Sequence, residues 1–196
     1  MCSNSRRSRS GPARRGARPL EPAERPVIPR DIGMGSNDLL GMRGEAIGIA
    51  LLTKFHDNEQ LFRPAFLGDK WPAVDLLVEV FRPTPKGRRG FFFAQVKTSR
   101  QGYQENGRLK ISGPPREKVE ALAMYQVPKY ILGVDEPEER VYIAALQGNF
   151  AGMSSISNEH ELTDERLTAL RAEVEAFWDG SPGHQWKSQF QEKNWE

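Results

Sequence analysis

The segment FFFAQVKTSR, residues 91–100, decides how this chain folds. Three phenylalanines followed by alternating small and polar residues predict a strand running into a sheet core, and side chains alternate across a strand. Phe91, Phe93, Gln95 and Lys97 therefore share one face. A glutamine and a lysine on that face are costly in an apolar interior unless they are paired. Either the face reaches water or the pair does chemistry.

The segments on both sides supply its partners. PAVDLLVEVF (72–81) predicts a strand with Val74, Leu76, Val78 and Val80 on one face and Asp75 and Glu79 on the other, joined to the first by the turn-rich RPTPKGRRG (82–90). A hairpin folded about residues 85 and 86 sets Asp75 opposite residue 96 or 97 and Glu79 opposite 92 or 93, which makes Asp75 the expected partner of Lys97. EQLFRPAFL (59–67) adds a third strand and completes a β-meander. Upstream, GMGSNDLLGMRGEAIGIALLTKFHD (33–57) opens with a Ser/Asn/Asp capping cluster and continues with apolar residues at helical spacing, predicting a helix over 37–56. Gly41, Gly44 and Gly48 weaken that helix and permit close approach by a strand. Downstream, SGPPREKVEALAMYQ (112–126) predicts a helix with prolines in its first turn, KYILGV (129–134) and RVYIAAL (140–146) predict two strands, and Thr163 opens a last helix that ends at Gly180. The order is helix, three strands, helix, two strands and a final helix, an α/β chain.

Composition bounds the rest. A length of 196 residues with 38% hydrophobic content suits one domain, expected over 36–180, with a basic tail at 1–35 and a polar C-terminal tail at 181–196 carrying Trp186 and Trp195. Residues 1–30 hold eight arginines against Glu21 and Glu24, leaving 20 basic against 24 acidic residues elsewhere. A segment so poor in apolar residues is expected to be disordered, as a solvated tail or as a salt-dependent phosphate-binding arm. Cys2 is the only cysteine, so no intramolecular disulfide forms, and His56, His160 and His184 lack zinc-ligand spacing. No apolar run approaches the roughly 20 residues of a membrane helix. A soluble cytoplasmic protein is expected.

On the first helix, Glu45 has Met42, Ile49 and Leu52 at three-, four- and seven-residue spacing. It is read as a glutamate at the edge of the stripe, as a salt-bridge partner of Lys97, or as a metal ligand facing the strands. Each of Glu45, Asp75, Gln95 and Lys97 alone has an ordinary structural reading; together they point to a site.

A helical G-E, an Asp near the start of a strand and a hydrophobic strand ending Q-V-K-T resemble the PD-(D/E)xK, or restriction-endonuclease-like, nuclease superfamily, over about residues 36–146. The resemblance is closest to a branch found in prokaryotic defence loci, in which glutamine replaces the middle acid. It implies a central mixed β-sheet flanked by helices in the order αβββαβ, and a Mg²⁺- or Mn²⁺-dependent endonuclease acting on DNA or RNA. Asp75 matches the metal-binding aspartate, with Pro72 two residues farther from it than in the adjacent Pro-Asp of the name. Gln95 matches the usual acid, Lys97 the lysine that orients or activates water, and Glu45 the helix-borne acid. The implied metal ligands are Asp75, Gln95 and Glu45, and an amide at 95 leaves two anions, which suits one ion rather than two. The alternative is an inactive nuclease-fold module that binds nucleic acid or a protein partner.

Arg82, Lys86, Arg88 and Arg89 form a basic loop before the motif, and Arg100, Arg108 and Lys110 follow it. Flanking a nuclease cleft, they are expected phosphate contacts, with Tyr103 stacking on a base. GMGSND has glycines near a helix start but lacks the lysine of a phosphate-binding loop, so capping is expected there. Trp71, Tyr125 and Tyr130 are expected in the core. Without a second domain for target recognition, specificity is expected from a homodimer or a partner protein.

Overall fold

The computed structural model describes residues 35–68, 71, 73–102, 104, 106–113, 115–147, 153–180 and 186–192. The basic tail up to residue 34, Pro72, Tyr103, His184 and Trp195 lie outside the described residues. In chain order the elements are α1 (Ser36–Leu52), β1 (Phe55–His56), β2 (Glu59–Gln60), β3 (Phe62–Phe66), β4 (Leu76–Val80), β5 (Phe91–Ser99), β6 (Arg108–Lys110), α2 (Arg116–Ala123), β7 (Lys129–Asp135), β8 (Arg140–Ala145), β9 (Ser155–Ser157), a 3₁₀ turn at Asn158–His160 and α3 (Asp164–Asp179).

The segment quoted first becomes β5, the middle strand of a five-stranded mixed sheet ordered β3-β4-β5-β7-β8. It runs antiparallel to β4 and parallel to β7. A parallel neighbour requires a crossover, and the chain through β6 and α2 provides it. The alternation read from the sequence sorts the core into two layers. Phe92, Ala94 and Val96 face one layer with Tyr130, Leu132, Leu52 of α1 and Leu167, Leu170 and Val174 of α3. Phe93 faces the other with Ile131, Leu109, Ile111, Leu122 and Ile156.

Helix α1 rests on β5 through glycine. A Cβ built on Gly44 would lie 1.8 Å from Thr98 Oγ1 and 2.9 Å from Thr98 Cβ, so no larger residue fits at this crossing. At its start, Asp38 Oδ2 accepts from the Gly35 N–H at 3.1 Å, the capping role expected of this cluster.

Four expectations are corrected. The first helix stops at Leu52 rather than near 56, because Asp57 and Asn58, both left-handed at φ 48° and 63°, turn the chain into the β1–β2 hairpin. The meander carries a shifted register: Leu76 pairs with Ala94 and Glu79 with Phe91. A two-stranded sheet of β6 and β9 appears where no strand was expected. The stretch 186–192, expected within a polar tail, docks instead: Phe190 is 1% exposed, its carbonyl accepts from the Ala145 N–H at 2.9 Å, and Trp186 Nε1 donates to Glu173 at 3.1 Å. A single phenylalanine among polar residues gives no periodic signal, which is why sequence patterning misses it. Among the described residues no helix is long and apolar enough to cross a membrane.

Gly44→Ala tests the α1–β5 crossing. In an open helix the change would stabilise by about 1 kcal/mol. Here it should lower stability to denaturant by about 1–3 kcal/mol through overpacking, and Thr98→Ala in the same chain should recover most of that loss. A Gly44→Ala chain as stable as the parent would show that the helix does not sit this close to β5.

Candidate functional site

The site forms where β4 parts from β5. Continuing the observed register by one residue sets Asp75 opposite Gln95, not opposite residue 96 or 97 as the sequence suggested. The Asp75 N–H still donates to the Ala94 carbonyl at 3.0 Å. Two residues before Asp75 the chain turns away through Ala73, which adopts a left-handed φ of 65°. Val96 thereby has no residue of β4 paired with it, and its N–H donates to Asp75 Oδ2 at 2.7 Å. The aspartate thus terminates the ladder with its side chain. Glu79, four residues farther along the same face, pairs with Arg63 of β3, whose Nε donates to it at 2.8 Å.

Gln95 and Lys97 occupy the Phe93 face, as the alternation predicted. Gln95 is 2% exposed, and its Oε1 is buried without a hydrogen-bond partner. An amide oxygen left in that state costs about 1–3 kcal/mol. Lys97 is half-buried, and burial pushes its pKa below the ordinary lysine value. The Asp75 carboxylate opposes that shift, and the Lys118 ammonium on α2 adds to it. Lys118 escaped sequence analysis because no local spacing relates a helix after the motif to a position on the strand. In register with Lys97 on β7 stands Gly133, where a Cβ would meet Ile156 at 2.8 Å and Leu109 at 3.0 Å. A glycine there lets the β6–β9 sheet pack directly against β7.

The structure brings Asp75, Gln95 and Lys97 together on one face. It carries Glu45, half-buried, on α1, which packs on the opposite face through Gly44 and Thr98. Met42, expected in the same apolar stripe as Glu45, is 56% exposed; the buried stripe runs through Gly44, Gly48 and Leu52, with Glu45 at its margin. Among the described residues no three His, Cys, Asp or Glu side chains form a metal-holding group. Asp75 and Gln95 offer one carboxylate and one amide, both oxygen donors of the kind that Mg²⁺ and Mn²⁺ accept. The unpartnered Gln95 Oε1 fits such an ion.

The expected phosphate contacts separate into two groups. The loop with Arg82, Lys86, Arg88 and Arg89 lies at the far end of the β4–β5 hairpin, about 20 Å along β5 from Lys97. It is moored there: Arg88 donates to the Trp178 carbonyl at 2.7 Å, Lys86 Nζ to the Asp179 carbonyl at 2.6 Å, and Arg82 pairs with Glu59 at 2.9 Å. Arg108 is engaged by buried Glu192 at 2.8 Å and by Ser155 at 2.7 Å. Neither the loop nor Arg108 therefore flanks the site as a free cation. Arg100, immediately after β5, and Lys110, on β6, are exposed. Tyr130 is in the core as expected and donates to Glu173 at 2.6 Å. Trp71 is not: it stays 41% exposed.

No protein-family model matches the chain, and no curated protein or solved structure matches it.

The coupling of Asp75 to Lys97 has a measurable sign. Asp75→Asn keeps an acceptor for the Val96 N–H but removes the charge that raises Lys97, so the Lys97 pKa should fall further, read by NMR titration of its side chain. Because the folded-state pKa lies below the unfolded one, the fold binds fewer protons in that window, and this lysine's contribution to stability grows as pH rises through it. The variant should widen the window. An unchanged Lys97 titration would mean that Asp75 does not act on it.

Proposed function

We propose that the chain is a metal-dependent nuclease of restriction-endonuclease-like fold that hydrolyses phosphodiester bonds of DNA or RNA. The observation that carries this reading is the buried, unpartnered oxygen of Gln95 beside Asp75 and a lysine of lowered pKa. Apart from the short β1, β2 and β6, the elements α1, β3, β4, β5, α2 and β7 follow the αβββαβ succession that the Q-V-K-T resemblance implies. Asp75 and Gln95 would hold the cation, while Glu45, the helix-borne acid of the resemblance, sits on α1 across the sheet from them. Bound there, Mg²⁺ or Mn²⁺ would stabilise charge developing on the phosphoryl oxygens and lower the pKa of a bound water.

The chain's own residues set the remaining chemistry. Asp75 keeps one oxygen on the Val96 N–H, which fixes the carboxylate's orientation before any ligand arrives. Lys97, with its pKa lowered, gives up its Nζ proton more readily than an exposed lysine does. Lys118 places a second ammonium within electrostatic reach, and two cations held near each other attract a phosphate between them. A second reading, a nucleic-acid-binding module without catalysis, is favoured by one observation: no group of three metal-ligating His, Cys, Asp or Glu side chains occurs among the described residues.

Incubation with plasmid and single-stranded substrates, in Mg²⁺ or Mn²⁺ against EDTA, separates the two. Cleavage that requires the cation is expected from the parent chain. Lys97→Ala should lower it by about 100-fold or more, while the unfolding midpoint holds or rises, because a half-buried charge is removed. Full activity in Lys97→Ala would remove the lysine from the mechanism. Gln95→Glu, adding an anion, should tighten Mn²⁺ binding in calorimetry, and no metal binding by either chain would leave only the binding module.

A further inference from the structure

An aromatic surface begins at the site and ends in solvent. Phe93 precedes Gln95 by two residues on the same face of β5, roughly 7 Å along the strand. Its ring meets Tyr125 edge-on at 5.1 Å and Trp71 at 5.5 Å. Tyr125 in turn lies nearly parallel to the Trp71 indole, with centroids 5.8 Å apart and planes at 27°. Tyr125 follows α2 closely, the helix that brings Lys118 toward Lys97, and its carbonyl accepts from Lys129 Nζ at 2.8 Å. The indole is thus propped on one side by rigid aromatic neighbours while 41% of the residue faces water.

Packing alone does not account for this arrangement. Phe93 is 5% exposed and closes its layer of the core. The tryptophan, in contrast, belongs to the buried part of neither core layer. A large indole held in one orientation and left open has already lost the side-chain entropy that a stacking partner would otherwise have to overcome. On the same face of β5, Lys97 lies four residues beyond Phe93, roughly 13 Å along the strand, and Lys118 acts on it electrostatically. Flat apolar surface at one end of a face and two cations farther along it match a ligand that carries flat rings along a phosphate chain.

We propose that Trp71 is a base-stacking platform for an unpaired nucleotide of the substrate strand, so that the site takes single-stranded or frayed nucleic acid rather than an intact duplex. This rests on the nucleic-acid reading above and adds strand preference to it. In a paired duplex the base faces are covered by their neighbours, and only an unstacked base can lie on the indole. A phosphate farther along the same strand then meets Lys97 and Lys118, with Asp75 and Gln95 between them and the stacked base. Stacking is indifferent to base identity, so Trp71 selects strandedness and not sequence.

The test is a binding measurement in EDTA, so that no cleavage is needed. Fluorescence anisotropy is followed for an end-labelled oligothymidylate and for a labelled blunt duplex, with the parent chain, Trp71→Ala and Trp71→Phe. Trp71→Ala should weaken oligothymidylate binding by about tenfold or more, leave duplex binding within about twofold, and be partly rescued by Trp71→Phe. Circular dichroism and the unfolding midpoint confirm that the variants fold. If the parent binds and Trp71→Ala binds equally well, the platform is wrong while the nucleic-acid reading stands. If both ligands weaken alike, the residue acts through the fold, and the platform is again overturned. If the parent binds neither ligand, the nucleic-acid reading fails together with the platform.

Discussion

The hydrogen bond from the Val96 N–H to Asp75 Oδ2 is the constraint on which the site depends. A strand that leaves its neighbour exposes a row of backbone groups, and these must be satisfied or solvated. Here β4 leaves β5 at Ala73, whose left-handed φ bends the chain away, and a side-chain carboxylate replaces the backbone acceptor that has gone. The separation opens the Phe93 face beyond Gln95 without leaving a bare donor. Had β4 continued in register, residues 74 and 73 would have paired with Val96 and Lys97, and the lysine would lie flanked on both sides like any central sheet residue. One aspartate therefore ends the ladder and supplies the charge that holds up the lysine's proton affinity.

The same face shows what a polar pair in a core demands. Burial depresses the Lys97 pKa, and Asp75 recovers only part of that effect, since desolvation is the largest contribution. Gln95 offers no relief, because its buried oxygen points at no donor among the described side chains. A protein selected for stability alone would replace such a pair with Leu or Val, as it has on the opposite face, where Phe92, Ala94 and Val96 pack without a polar atom among them. Two other buried polar atoms among the described residues, Asp135 Oδ1 and His160 Nδ1, also lack a partner, while other groups complete their hydrogen bonds. Glu192 binds both Arg108 and the Ser157 N–H, and Glu173 collects Tyr130, Trp186 and the Gln189 N–H. Gln95 Oε1 is one of three buried polar atoms left without a partner among the described residues, and the one that lies opposite Asp75.

Much of this architecture is legible in the sequence, because most of it follows from periodicity. The alternation in FFFAQVKTS and DLLVEV sorts each side chain to its correct layer, and the three long helices and five sheet strands fall close to where the apolar spacing puts them. What escapes has a physical reason in each case. The hairpin register depends on how the loop 82–90 is anchored, and Thr84, Lys86 and Arg88 tie that loop to the end of α3, a contact 90 or more residues away in the chain. The β6–β9 sheet pairs two three-residue strands that are nearly fifty positions apart, too short for a pattern and too distant for a turn signal. Asp75, Gln95 and Lys97 are grouped by strand alternation alone. Lys118 and Trp71 are grouped with them only by tertiary packing, and the exposure of Trp71 contradicts the rule that large aromatics go inside.

Asp75 also shows why the two tasks of this face constrain each other. A carboxylate that must accept from a backbone N–H to end a ladder has one oxygen committed and the whole group oriented, and that orientation is of use to a cation, which gains from ligands already in place. The commitment limits it as well. The oxygen given to Val96 carries electron density that a cation would otherwise draw upon, so Asp75 is a weaker ligand than an unencumbered aspartate. With an uncharged amide as the adjacent donor, the site would offer a cation a soft electrostatic hold and a strong geometric one. An ion held in that way would exchange readily, and any chemistry would lean more heavily on groups that are permanently present. Lys97 is such a group: it is held on the strand, and its proton affinity is set by burial, Asp75 and Lys118.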